Sequence, residues 1–286
     1  TVVAPSQVVG QIVDQLNATA GQPVTASAST DEQAAREALR TDETSGVYVL
    51  STTDNRDSLL VASGGGTAVA TAVEQLFTIA AQGHGRTVAV EDVVPLDPGD
   101  ARGLSGFYLV IGWAVGGYLF AAMLGVAKGS RPATLPRAAW RLGATVPYAL
   151  ASGLGGAVIA EPVLHALNAH FMQIAGIGVL VTLSAATVTI ALQTLFGVIG
   201  IGLTVVIFVI LGNPSAGGAY QPALLPPFWR TISPYLPNGA GTDAIRRIVY
   251  FGGYGLIHPL VVLLVWVIGG AVLTLAASAI MKRARQ

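Results

Sequence analysis

The sequence predicts an α-helical polytopic membrane protein, with five spans in these 286 residues, joined to a small α/β domain of β-α-β-β-α-β type. Three observations predict it. Charged residues make up 10% of the chain and apolar ones 52%, and the mean hydropathy is +0.64; a soluble domain carries about 25% charged residues. The charge is also divided. Residues 1–100 hold thirteen acids and four bases, a net of −9, whereas residues 101–286 hold Glu161 and Asp243 against eleven bases, a net of +9. Finally, charge-free apolar runs of membrane-crossing length occur only in the second part. The chain therefore divides into an acidic, water-soluble domain with its linker at 1–100 and a membrane domain at 101–286, whose partner is a lipid bilayer. No nucleic-acid binding is expected, since that needs a basic face on a soluble fold. The chain has no cysteine, which excludes disulfides, thiolate catalysis and Cys-ligated metals. Lysine occurs only as Lys128 and Lys282 among fifteen basic residues, a usage that fits a GC-rich bacterial genome.

The soluble elements follow in order. Val8, Val9, Ile12 and Leu16 recur at helical spacing over 6–18, and Gly21-Gln-Pro23 ends that helix. A short strand is expected at 24–27. Thr30-Asp-Glu-Gln33 is a capping-box pattern opening a helix to Leu39. Strands at 46–51 and 58–63 flank an Asp54-Asn-Arg-Asp57 turn. Gly64-Gly-Gly66 leads into a helix over 68–82, and a last strand covers 87–94 before a linker at 95–99. From residue 24 this is the split βαβ pattern, with helices expected on one face of the sheet. Gly64-Gly-Gly66-Thr67 before a helix is able to cradle an anion, but without a P-loop lysine it reads as a chain reversal. His84 sits in a Gly-rich loop with no second ligand at metal spacing. No nucleophile–base pair appears, so no enzyme, cofactor or metal is expected.

The spans are expected at 105–127, 142–160 (with Pro147 as a kink), 171–192, 194–212 and 256–280. The third and fourth come from one apolar run, broken at Gln193-Thr194 into a tight turn. Lys128, Arg131, Arg137 and Arg141 flank one side, as do Lys282, Arg283 and Arg285. The positive-inside rule makes that side cytoplasmic, and places residues 1–100 and the long loop 213–252 outside a bacterial cell membrane. An outside domain needs delivery, so a transmembrane helix before Thr1 is expected, making six spans in the parent protein. Gly112-Trp-Ala-Val-Gly116 and Gly176, Gly178, Gly197, Gly200 and Gly202 let helices approach closely, either within one chain or along a homodimer seam. The hydroxyls of Thr182, Ser184, Thr187 and Thr189 either bond back to their own helix or, at Thr182, Ser184 and Thr187, line a substrate path. No ionisable residue lies well inside a span, which argues against an ion-coupled antiporter and an intramembrane protease.

The loop before the last span is too apolar for ordinary solvation: Pro222-Ala-Leu-Leu-Pro-Pro-Phe-Trp-Arg230, then Ile232-Ser-Pro-Tyr-Leu-Pro237. Over 244–251, Ile245, Ile248 and Val249 share a face that Arg246 and Arg247 avoid, an interfacial pattern. Residues 222–251 are expected to form a half-inserted hairpin. In the basic loop, Pro132 and Pro136 permit a short helix at 137–141 along the membrane plane.

These features resemble the permease subunits of type-2 ABC exporters. Within them, Arg102-Gly-Leu-Ser-Gly-Phe-Tyr-Leu109, Leu225-Pro-Pro-Phe-Trp-Arg230 and Pro237-Asn-Gly-Ala-Gly-Thr-Asp-Ala-Ile-Arg-Arg247 resemble the phage-infection-protein-like branch of bacterial membrane proteins. The resemblance covers residues 100–286 by motif and residues 1–100 by position only. It implies that the 128–141 loop, with Arg131, Leu135, Arg137, Trp140 and Arg141, contacts a coupling partner. It implies an outer gate at Pro226, Phe228, Trp229, Pro237, Arg246 and Arg247. The chain carries no Walker A motif, so the implied ATPase is a separate cytoplasmic protein. Two function classes follow: a transport subunit exporting an amphiphilic or envelope-related molecule, or a non-transporting surface receptor or anchor for envelope or secretion machinery.

Overall fold

The computed structural model describes residues 1–19, 24–100, 102–129, 131, 134–168 and 170–283; the expected helix stop at 21–23, Pro132 and Arg285 lie outside them. The chain is mostly helical, with a small sheet and four helices long and apolar enough to cross a membrane. It divides into two units, Thr1–Leu96 with Tyr250–Tyr254, and Asp97–Val249 with Gly255–Gln286.

The first unit is built on five strands: β1 (Val2–Val3), β2 (Ala28–Ser29), β3 (Val47–Val49), β4 (Arg56–Val61) and β5 (Thr87–Asp92), in the order β2-β1-β3-β4-β5. β1 pairs in parallel with β2 and β3, β3 and β4 form an antiparallel hairpin, and β4 runs parallel to β5. Three helices connect them: α1 (Ser6–Asn17), α2 (Glu32–Arg40) and α3 (Thr67–Gly83). From β2 onward the element order is β-α-β-β-α-β.

Alternation along the strands sorts two cores. Val2, Tyr48, Leu59 and Val61 pack with Val9 of α1 and Ala70 and Phe77 of α3. Val3, Val47 and Leu60 face the other way, onto Ala35 and Leu39 of α2 and onto Phe251. Helices therefore cover both faces, not the one face expected. The reason is legible in the strands: Val47-Tyr48-Val49 and Leu59-Leu60-Val61 are continuously apolar, the signature of two-sided burial. Two strand expectations also need correction. The strand placed at 24–27 lies at 28–29, on the sheet edge, and Val2–Val3 supplies an unexpected inner strand. A two-residue strand offers no measurable period. The α2 cap is Asp31, whose Oδ1 accepts from the Ala34 amide at 3.1 Å, rather than Thr30.

The second unit holds α4 (Ser105–Lys128), α5 (Leu135–Val158, continued by a π-helical turn to Val163), α6 (Phe171–Phe196) and α11 (Ile257–Arg283). α6 is the central helix: 78% of its most apolar window is buried, against 22–33% for the other three, and it packs against α4, α5 and α11. Small residues make this close packing. A Cβ at Gly117 would meet the Thr182 carbonyl, and one at Gly153 would fall 2.5 Å from the Ala175 carbonyl oxygen. The glycines at 112, 176 and 202 have nothing within 4 Å of such a Cβ.

Two expectations about the spans are corrected. The break in the long apolar run falls at Gly197, not at Gln193-Thr194. Gly197 adopts φ +64 and its N–H caps the Gln193 carbonyl, the left-handed helix ending that glycine permits. The segment beyond it, α7 (Ile199–Val205), a π-helical stretch (Val206–Leu211) and α8 (Gly212–Ser215), totals 17 residues. At 1.5 Å per residue that is about 25 Å, the short end of spanning length, and the segment leads from Leu195, which Arg131 meets beyond the C-terminal end of α4, to Asn213, which faces the N-terminal end of α4. Residues 137–141 form no separate in-plane helix; they are the opening turns of α5, which also runs through Pro147.

Candidate functional site

Among the described residues of the second unit, two clefts lie at opposite ends of α4. One lies where α4 ends and α5 begins. It has a volume of about 530 Å³ and is lined by Lys128, Pro136, Arg137, Trp140 and Arg141. Helical geometry builds it: Arg137 and Arg141 are one turn apart on α5 and share a face. Arg141 is 3% exposed and its Nη2 donates to the Lys128 carbonyl at 3.0 Å and to the Gly129 carbonyl. That side chain stitches the end of α4 to the second turn of α5. Lys128, Arg137 and Trp140 are exposed. Of the residues expected to contact a partner, Arg137, Trp140 and Arg141 line this cleft. Leu135 is exposed beside it, and Arg131 turns elsewhere, donating to the Leu195 carbonyl at 3.1 Å near the end of α6. The cleft adds Lys128 and Pro136 to the expected set. Lys128 was visible in the sequence as a flanking charge, but its meeting with Arg137 across a loop was not.

The other cleft, about 270 Å³, is lined mostly by aromatic and apolar groups: Leu104, which precedes α4, and Phe107 and Tyr108 of α4 face Asn213, Tyr220 and Leu225. No charged side chain among the described residues lines it. Gly218 is required there, because a Cβ would fall 2.8 Å from the Phe107 ring. Sequence reasoning missed this cleft, since its two walls are a hundred residues apart.

The residues assigned to an outer gate are dispersed. Phe228 and Trp229, on α9 (Pro227–Ile232), form an edge-to-face pair with centroids 5.0 Å apart. Pro226 is exposed in front of them, whereas Pro237 is buried as the first residue of α10 (Pro237–Tyr250). Arg246 donates to the Gly217 carbonyl at 3.0 Å, and Arg247 pairs with Asp243 at 2.8 Å. α10 is not a surface helix with one apolar face. Its first six residues are all buried, and so are Ala244, Ile245 and Ile248. Gly241 lies against Val181 and Val110, Gly106 of α4 lies against Ile245, and the Asn238 amide donates to the Phe208 carbonyl at 3.1 Å. α10 thus sits in a notch formed by α4, α6 and the π-helical stretch.

The hydroxyls assigned to a substrate path lie in the α6 packing. Ser184 donates to Leu180 of its own helix and to Leu263 of α11, at 2.8 and 3.1 Å. Thr187 bonds back to Ser184, and Thr182 reaches Ser152 of α5 at 3.4 Å. None of the three lines either cleft.

In the first unit, the Gly64–Gly66 turn has no free N–H groups for an anion: the three amides donate to Val94, Ala62 and Ser63. A Cβ at Gly64 would fall 2.8 Å from Tyr250, which explains the glycine by close approach. The polar centre of this unit is Asp57, fully buried and held by Arg86, the Tyr48 hydroxyl and the Ser51 amide. Every carboxylate oxygen is satisfied, so the cluster is a structural clamp.

No protein-family model, curated protein or solved structure matches the chain.

Proposed function

We propose that this chain is a membrane transport subunit of the type-2 ABC exporter permease kind, moving an amphiphilic or envelope-related molecule across a bacterial cell membrane. In this reading residues 1–100 lie outside and the C-terminus is cytoplasmic. One observation carries the proposal: α4 bears an uncharged aromatic cleft at one end and a cationic cleft at the other, about 36 Å apart along 24 residues. An aromatic cleft at the end of the spanning helix α4 suits an amphiphile, whose apolar part needs burial and whose polar end meets Asn213. The cationic end carries exposed Leu135 and Trp140, apolar handles for a separate cytoplasmic ATPase. Burial of α10 beside α4 and α6 adds support, because a structured helix there is able to move with α4.

The test is ATP-dependent accumulation of an amphiphilic fluorescent probe in inside-out vesicles from cells producing the full chain. Accumulation should occur with the chain and fall to background with Leu135→Ala/Trp140→Ala, in which all four loop charges remain. A correctly inserted chain giving no ATP-dependent accumulation would remove the transport reading. The alternative, a surface receptor or anchor, is favoured by the hydroxyls of α6 being sealed in helix packing.

A further inference from the structure

We propose that the cationic cleft between the ends of α4 and α5 seats the phosphate of an anionic phospholipid headgroup. The proposal goes beyond transport and stands without it. The cleft gathers three cations, Lys128, Arg137 and Arg141, and no acid among the described residues lines it. The two acids beyond residue 100 are not placed to neutralise them. Asp243 is paired with Arg247. Glu161 lies twenty residues further along the same helical run than Arg141, about 30 Å at helical rise. Arg137 and Arg141, four residues apart, repel each other unless an anion lies between or before them. Arg141 is buried and spends Nη2 on two backbone carbonyls, so it forms the floor. Lys128 and Arg137 are exposed and supply the charges at the mouth.

Phosphate is the chemistry this set recognises: a guanidinium offers a planar fork of donors and an ammonium a compact charge. Free phosphate and a lipid headgroup share it. The surroundings favour the lipid. Met123 and Val126, in the last two turns of α4 leading to Lys128, are 71% and 79% exposed, and Trp140 is 59% exposed. An apolar strip therefore ends in a cationic cleft beside an indole, the order in which acyl chains, glycerol and phosphate follow in a lipid. Basic clefts between spanning helices are known lipid-headgroup sites.

The test uses the full chain in nanodiscs of equal phosphatidylglycerol and phosphatidylcholine, with the lipids retained after detergent extraction counted by mass spectrometry. Wild type should retain phosphatidylglycerol preferentially. Lys128→Gln/Arg137→Gln should lower that preference by about 30-fold, the effect of two interfacial cations. The charge-keeping Lys128→Arg/Arg137→Lys and the distant Arg230→Gln should retain it. Absence of a preference in wild type, or its survival in the double Gln variant, overturns the proposal. So does full displacement of the retained lipid by millimolar inorganic phosphate, which would make this a soluble-anion site. If the Gln variant does not fold, the wild-type preference and the phosphate competition still decide.

Discussion

The indole of Trp113 fills the space that a side chain at Gly178 would need: a Cβ there falls 2.5 Å from the ring. The same indole abuts Gly156 and donates its N–H to the Ser152 carbonyl at 2.9 Å. One residue of α4 thereby locks α5 and α6, and the lock depends on two glycines. Gly178→Ala should lower stability by about 1–3 kcal/mol, because the neighbour is a rigid ring in a packed core. Gly176→Ala, on the same helix with nothing within 4 Å, should be neutral or stabilising by up to about 1 kcal/mol. Unfolding in mixed micelles compares the two; equal losses would remove the Trp113 explanation.

Gln193 shows why the break in the apolar run was misplaced. Polar Gln193-Thr194 looked like a turn, yet both are buried in α6, where Thr194 bonds back to the Ile190 carbonyl at 2.7 Å. The Gln193 amide lies on Gly125 of α4, and among the described residues neither its oxygen nor its nitrogen has a hydrogen-bond partner. An orphaned buried amide costs about 1–3 kcal/mol, so Gln193→Met should stabilise the chain measurably. A lower melting temperature for that variant would mean that the amide has a partner essential to the fold.

What was legible depended on length of pattern. The long helices announced themselves by charge-free runs, and β4 by Leu59-Leu60-Val61. Gly197 was not, because it lies inside an unbroken apolar run, between Leu195-Phe196 and Val198-Ile199. The two-residue β1 was not, because it is fixed by pairing on both edges with β2 and β3 rather than by its own sequence. The cationic cleft was legible in part, because Arg137, Trp140 and Arg141 lie close together in sequence, whereas the aromatic cleft was not, since it joins residues that only helix packing brings together. α10 was misread because Ile245 and Ile248 alternate with arginines. The burial of Asn238 and Thr242 depends on glycine contacts that hydropathy does not report.

The buried Asp57 clamp gives the first unit a definite response to acid. Burial alone would raise the Asp57 pKa. Hydrogen bonds from Arg86, Tyr48 and the Ser51 amide outweigh it and hold the carboxyl below the ordinary range. A lowered folded pKa contributes stability that is complete above the unfolded value, about 4, and is lost as pH falls from there towards the folded value. Burial, then the bond to Asp57, raises the Tyr48 hydroxyl, which therefore contributes below about pH 10 and is lost at higher pH. Asp57→Asn should cost about 2 kcal/mol at neutral pH and flatten the acid limb. Native-state hydrogen exchange of the β4 and β5 amides in the full chain reads both effects. An unchanged acid limb would show that other carboxylates carry it.

Orientation is the consequence most open to a direct test. Lys128, Arg131, Arg137 and Arg141 cluster between α4 and α5, and Lys282 and Arg283 close α11. The positive-inside rule predicts that short flanks this rich in bases stay on the cytoplasmic side. Under that proposed orientation, α4 is expected to carry its N-terminal end, and the unit preceding it, to the outside. The chain has no cysteine, so one introduced thiol is a unique reporter. Thr53→Cys is exposed in the turn before β4 and should react with a membrane-impermeant maleimide on intact cells. Gln286→Cys should react only after permeabilisation. The opposite pattern would invert the chain. It would move the cationic cleft to the outer surface, and with it any contact with a cytoplasmic ATPase would be lost. Reaction at both sites in intact cells would show an even number of crossings, with the 17-residue segment Ile199–Ser215 failing to span.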